Sequence, residues 1–262
     1  MTTHSSFRDQ LVSSPVYFPQ WPLEKVLESC RDLGFQKFEG FSEWATSRLD
    51  WRGDPADPRK HAESMGLRFT SFHLPTIRED LEAGLENALT AAHYAAGLGA
   101  KIVLFKAASL EIFPKVTTKF LDALDKAGLG LTPVIQNHKG SAISTPDDYQ
   151  KVFESTGHDP RLKAVLEVGH FQRVGIPWKQ GWDCLGDRVA LIHINEIREG
   201  ESVLFGTGEV DFRGLIKHIK TSGYTGNIVV ELELSGRESN PQPTIDGVRR
   251  AVSLLESFYQ ES

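Results

Sequence analysis

Only two of the 262 residues are cysteines, Cys30 and Cys184, and they stand far apart with no metal-ligand spacing. No thiolate metal motif is visible, and two reduced thiols in a cytoplasmic protein are expected. An excess of basic residues is also missing: 29 Lys and Arg face 35 Asp and Glu, for a net charge of −6 and a pI near 5.9. That argues against nucleic acid as a partner, which would want a basic face. No apolar run approaches the length needed to span a bilayer, so no membrane association is expected. The opening Met-Thr-Thr-His-Ser-Ser-Phe-Arg has no apolar core of a secretory signal, and residues 1–10 read as a flexible leader. Internal linkers and low-complexity segments are absent as well, so a single domain over 1–262 is expected.

What is present is an ordinary globular composition, 40% hydrophobic and 24% charged, in a chain long enough to bury a large core. Short apolar runs alternate with helical patterns about eight times. The spacing predicts strands over 11–18 (broken by Pro15), 35–41, 67–73, 101–105, 129–136, 162–168, 189–194 and 227–234. Between them lie predicted helices, among them 78–98, 117–127, 177–185, 211–221 and 244–258. A further helix starts at Thr145-Pro146-Asp147-Asp148, which supplies an N-cap, a first-turn proline and two first-turn acids. Repeated strand–helix alternation with short turns is the pattern of an α/β fold, a (β/α)8 TIM barrel.

Several of these strands finish on side chains that a buried strand does not need. Leu162 to His170 begins as an apolar run and ends in Glu167, Gly169 and His170. Desolvating a carboxylate there costs several kcal/mol, on the order of 5, unless it is paired or bound to a metal. The same ending recurs at Gln136, His193 and Glu231. Side chains alternate along a strand, so Val134 and Gln136 share a face, as do Val165 and Glu167, Leu191 and His193, and Val229 and Glu231. If that face points inward, an amide, two carboxylates and an imidazole converge at one mouth of the barrel. This donor set suits a divalent ion such as Mn2+, Mg2+, Co2+ or Zn2+. Taken singly, each is equally explained as a paired polar group at a strand end; it is the recurrence that points to a metal.

The motifs at these positions resemble those of the xylose-isomerase-like TIM-barrel family of sugar isomerases and epimerases. The resemblance runs through Gly34-Phe35-Gln36-Lys37-Phe38-Glu39, Gln136-Asn137-His138-Lys139-Gly140, Leu166-Glu167-Val168-Gly169-His170 and His193-Ile194-Asn195-Glu196. It continues in Gly206 to Phe212 and in Gly223-Tyr224-Thr225-Gly226 followed by Glu231. It implies a metal held by Gln136, Glu167, His193 and Glu231, a small-molecule sugar partner, and proton transfer beside a carbonyl through an enediolate. Glu231, Glu167 and His170 are then the catalytic candidates, with Glu231 as base. Two positions depart from the family pattern: Glu167 replaces a shorter Asp, and Gln136 replaces a carboxylate. An amide still coordinates through oxygen but cannot take a proton. That favours a one-base reaction over two-base epimerisation: aldose–ketose isomerisation, or elimination as in keto-sugar dehydratases and 3-keto-glycoside lyases. A non-catalytic sugar-binding relative is the rival from another class. Self-association into a homo-oligomer stays open.

The substrate-binding candidates are Glu39, His73, Lys106, His138 and Arg198. Glu39 and His73 read either as a sugar-binding or acid/base pair, or as an ordinary buried Glu–His hydrogen bond. Lys106 reads either as holding an anionic or carbonyl oxygen or as simply reaching solvent, and His138 as supporting a ligand from behind. Arg198 reads as a clamp or as a surface arginine. Trp44, Trp51, Trp178 and Trp182 are expected in loops or turns on the active-site side, one or two of them against a sugar ring and the rest as lid or core packing. The Gly206–Gly208 stretch lacks the lysine and spacing of a phosphate loop and reads as a turn.

Overall fold

The computed structural model describes residues 6–262. Eight parallel strands form one sheet: β1 (Leu11–Val12), β2 (Lys37–Phe41), β3 (Arg68–His73), β4 (Ile102–Leu104), β5 (Thr132–Gln136), β6 (Lys163–Glu167), β7 (Val189–Ile194) and β8 (Asn227–Val230). Around the ring the order is β1-β8-β7-β6-β5-β4-β3-β2. Ser13 joins the two ends, donating its N–H to Lys37 O at 3.0 Å and accepting from Glu39 N at 3.0 Å. The expected α/β TIM barrel is therefore the observed architecture.

Alternation along the strands divides the apolar side chains into two sets. Val12, Leu104, Val134, Val165, Leu191 and Val229 pack on one another as a layer inside the barrel. The larger core lies between the strands and the surrounding helices and takes the intervening positions, such as Ile135, Leu166, Ile192 and Val230. Burying each such side chain contributes roughly 1.5–3 kcal/mol. Two residues beyond four of the interior positions stand Gln136, Glu167, His193 and Glu231, so the pleat itself carries the polar groups to the mouth.

The helices are α1 (Phe7–Gln10), α2 (Leu23–Asp32), α3 (Ala56–Ser64), α4 (Leu81–Leu98), α5 (Phe113–Ala127), α6 (Pro146–Ser155), α7 (Val168–Gln172), α8 (Trp178–Leu185), α9 (Phe212–Ser222) and α10 (Gln242–Glu261). Helix α6 has the expected start: Thr145 Oγ1 accepts from Asp148 N at 3.3 Å while Asp148 Oδ2 accepts from Thr145 N at 3.0 Å. Helix α5 begins four residues before the predicted Thr117, because Thr117 turns its hydroxyl back onto Phe113 O at 2.7 Å and is tolerated inside the helix.

The leader expected over 1–10 does not hold for its described part, residues 6–10. Residues 1–5 lie outside the described residues, whereas Phe7 and Gln10 in α1 are buried. Gln10 donates to Tyr224 O and Gly226 O at 3.0 and 3.1 Å. Strand β5 starts at Thr132 rather than 129, since Gly128 and Gly130 both adopt positive φ and keep the chain turning. Besides α1, two elements were not anticipated. One is α7, directly after β6; the other is a small antiparallel hairpin pairing Ile197–Arg198 with Glu201–Ser202. Cys30 and Cys184 are both free thiols. Among the described residues no helix is long and apolar enough to cross a membrane.

Candidate active site

Glu167 ends β6, His193 lies next to last on β7, and Glu231 directly follows β8. Their side chains meet. His193 Nδ1 is 3.0 Å from Glu167 Oε2 and 3.5 Å from Glu231 Oε1. Gln136, at the end of β5, places its Nε2 at 3.2 Å from Glu167 Oε2 and 3.4 Å from His193 Nδ1. All four residues expected to converge therefore do so.

A second carboxylate backs the imidazole. Glu39 on β2 is fully buried, accepts from Ser71 Oγ at 2.7 Å and lies 3.0 Å from His73 Nε2. Its Oε2 is 3.3 Å from His193 Nε2. Of the two readings of the Glu39–His73 pair, the geometry selects the buried hydrogen bond. Glu39 is covered by its partners and does not line the cavity, which corrects its assignment to substrate binding. His73 does line it, with Phe41 stacked on its ring at 3.9 Å.

The strand ends are braced from outside. Asn137 donates its Nδ2–H to Glu167 O at 3.0 Å and accepts from Glu167 N at 3.1 Å. Tyr149 on α6 accepts from Asn137 N at 2.7 Å and donates to Val165 O at 2.6 Å. Gly169 permits the turn after Glu167, because a Cβ there would meet Asn195 Cβ at 2.8 Å. Glu196 is buried and structural: its carboxylate accepts from Gly206 N at 3.0 Å and Val210 N at 3.1 Å. The glycine-rich stretch is thus a turn wrapped on a carboxylate, and Gly208 comes too close to Glu196 for any larger residue.

Burial and charge shape the titration of this cluster. Burial opposes ionisation of Glu39, but His193 and His73 on either side outweigh it and hold the carboxyl well below the usual range. Burial likewise opposes protonation of His193, yet Glu39, Glu167 and Glu231 together raise it well above an ordinary imidazole. Glu167 is held down against burial by the same histidine. Glu231 goes the other way: burial, then the charge of Glu167, push it up to about 8. Burial pushes His73 and His170 down to about 4 against the pull of neighbouring carboxylates. It also lowers Lys106, partly offset by Glu43 and Glu39.

The cluster opens into a cavity of about 290 Å3. Gln136, Glu167 and Glu231 form its floor, His138 and His170 one side, and Lys106 another. Phe41, Trp44, Phe105 and Phe113 supply an apolar wall. The His138 and His170 rings lie against each other, tilted by 39° with centroids 3.6 Å apart. His138 uses Nδ1 on Lys139 O at 3.0 Å, within its own loop. It is exposed at the rim, and among the described residues no hydrogen bond joins its ring to Gln136, Glu167, His193 or Glu231; Asn137 and Glu39 brace the strand-end groups directly. Arg198 lies outside the cavity on the small hairpin, where it donates to Thr207 O at 3.2 Å; the clamp reading is corrected to a surface arginine.

Of the four tryptophans only Trp44, 58% exposed, lines the cavity. Trp51 is buried beneath the Arg52 guanidinium, and Trp178 and Trp182 pack on His218. Ser71 and Glu233 were missed. Both were within reach of the alternation rule, standing two residues before His73 and two after Glu231. Glu233 lines the cavity, 3.3 Å from Arg173 Nη2 and 3.4 Å from Asn195 Nδ2.

The donor set fits a divalent ion. Glu167, His193 and Glu231 are buried and offer ligand atoms within 4.8 Å of one another. Glu167 Oε1 is buried with no hydrogen-bond partner. A half-turn of the Gln136 amide would bring its oxygen to the same place.

Known proteins share this fold. An inosose dehydratase of Lacticaseibacillus casei is 24% identical over 132 residues, 43% of this chain and 44% of that protein, so the match spans less than half the length of the curated relative. A crystal structure of the IolI protein with a bound zinc atom superposes with a TM-score of 0.78 at 15% identity, covering 95% of this chain and 99% of that one. The 3-keto-D-glucoside 4-epimerase YcjR of E. coli in its apo form gives 0.72 at 16% identity, covering 95% and 99%. The family model for the xylose isomerase-like TIM barrel matches residues 27–257, nearly the whole described chain, and this protein belongs to that family.

Proposed function

We propose that this protein is a metal-dependent enzyme that moves a proton beside the carbonyl of a sugar or keto-sugar, as an isomerase or epimerase. The observation that carries the reading is the trio Glu167, His193 and Glu231, buried and mutually in reach, with Glu167 and Glu231 lining one cavity. Those three side chains and the Gln136 amide would hold the ion. When bound, it would polarise a carbonyl and a neighbouring hydroxyl oxygen. Glu231 lies at the cavity floor and takes the proton from carbon. His170 and His73, held neutral by burial, line the same space and offer hydrogen bonds to hydroxyls. Phe41 and Trp44 pack on the apolar face of the sugar ring.

A second reading, elimination by a keto-sugar dehydratase or 3-keto-glycoside lyase, is favoured by Gln136, which removes one carboxylate from the floor. The partial match to an inosose dehydratase supports the same alternative. One experiment separates the readings: the Mn2+-loaded protein is given ketohexoses, an inosose and a 3-keto-glucoside in deuterated water. Isomerase or epimerase chemistry leaves solvent deuterium in a product of unchanged formula, whereas elimination loses water or the aglycone. No exchange with any of them, together with no metal at near-stoichiometric occupancy, would favour a non-catalytic sugar-binding protein instead.

A further inference from the structure

Gln136 leaves the β5 side of the cavity without an acid or a base, since an amide neither gives nor takes a proton in the useful range. Inverting a carbon needs proton transfer on two faces, so a second group has to come from elsewhere on the rim. The ring order places β4 four strands away from β8 in either direction, and the ends of these two strands face each other across the barrel. Glu231 follows β8; Lys106 follows β4. Leu104 is in register with Val134, and both belong to the interior layer. Lys106 is two residues beyond Leu104, as Gln136 is two beyond Val134, so both point inward at the same level.

Lys106 and Glu231 line the same cavity. Among the described residues no hydrogen bond or ion pair reaches Lys106 Nζ. The charges around it are Glu43 from the loop after β2, Glu39 on β2 and Arg78 from the loop after β3. A half-buried ammonium without a hydrogen-bonding partner among the described residues contributes little to the fold, and it lines the space the substrate would fill.

We propose that Lys106 is the second proton-transfer group of this site, acting on the face of the substrate carbon opposite Glu231 and making the enzyme an epimerase. This rests on the proton-transfer reading above. The Glu231 carboxylate takes the proton from the carbon beside the carbonyl, and the bonding pair moves into the carbon–carbon bond as the carbonyl pair moves onto oxygen. The Lys106 ammonium then gives a proton to the other face of that carbon and the carbonyl reforms. The products are the inverted carbon, a neutral amine and a glutamic acid, and exchange with water restores both groups. Burial weakens the amine as a base, partly offset by Glu43 and Glu39.

The test follows the Mn2+-loaded enzyme and its Lys106→Met variant in deuterated water with D-fructose, D-tagatose, D-psicose and methyl 3-keto-glucoside. The wild type should give an epimer carrying one deuterium at the inverted carbon. The variant should keep exchange into recovered substrate on the Glu231 face, while epimer formation falls ~100-fold or more. Epimer formed at the wild-type rate by the variant overturns the proposal. So does loss of exchange and inversion together in a variant with unchanged circular dichroism and Mn2+ binding, because Lys106 would then serve binding alone. Wild-type exchange without inversion overturns it too, and leaves the proton-transfer reading standing. Absence of any wild-type exchange defeats that reading itself, and Lys106 with it. If Lys106→Met does not fold, Lys106→Gln carries the same comparison.

Discussion

Glu39 Oε2 lies 3.3 Å from Nε2 of His193, on the side of the ring turned away from Glu167. A metal-binding imidazole is normally fixed through its second nitrogen by a carboxylate or carbonyl, which sets both tautomer and ring orientation. Glu39 is itself pinned by Ser71 and His73. Replacing it with glutamine keeps the shape but removes the charge facing His193. Glu39→Gln should bind Mn2+ or Zn2+ ~10–100-fold more weakly by calorimetry with its circular dichroism unchanged. Unaltered affinity would mean that Glu39 only fills space.

Gln136→Glu puts a third carboxylate beside Glu167 and Glu231. In the metal-free protein that adds like-charge repulsion in a buried site, so the melting temperature with chelator should fall. With a divalent ion present the added charge becomes an asset, and the metal-induced rise in melting temperature should exceed that of the wild type. Equal rises in the two proteins would show that the residue at 136 does not reach the ion.

Burial and Glu167 raise the Glu231 carboxyl to about 8 in the absence of metal. A group whose folded pKa lies above its unfolded value stabilises fully below the unfolded pKa, near 4.5, and loses that contribution as pH climbs through the folded one. Between about pH 4.5 and 8 the metal-free wild type therefore loses stability that Glu231→Gln does not. Comparing urea midpoints with chelator at pH 5 and pH 8, the variant should gain on the wild type by roughly 3–4 kcal/mol at the higher pH. A pH-independent difference between the two would contradict the assignment.

The residues that period-2 alternation could place were legible before any coordinates. Gln136, Glu167 and His193 each lie on a strand and in phase with an interior valine or leucine, so their convergence followed from the pleat. What alternation does not report is cover. Glu39 points inward as expected, but Ser71, His73 and His193 close over it, a consequence of neighbouring strands that no single segment encodes. Arg198 escaped for another reason. It lies past the end of β7, where the chain folds into a hairpin instead of running on over the cavity, and counting from His193 loses its meaning there. Trp178 and Trp182 were placed on the active-site side by a turn reading; α8 instead packs them against His218 on α9.

The hydroxyl of Tyr149 reaches from α6 between the ends of β5 and β6, accepting from Asn137 N and donating to Val165 O. All of these groups are buried, so removing the oxygen leaves a backbone donor and an acceptor without a partner. A buried group left unpaired costs ~1–3 kcal/mol. Tyr149→Phe should lower the melting temperature by several degrees while leaving the ring packed against Phe153 and Phe171. Because Asn137 also holds both backbone groups of Glu167, the loss should extend to the metal, with weaker Mn2+ binding than a surface substitution of equal stability cost. A variant that melts early yet binds Mn2+ as tightly as the wild type would show that Tyr149 supports the strands without setting the position of Glu167.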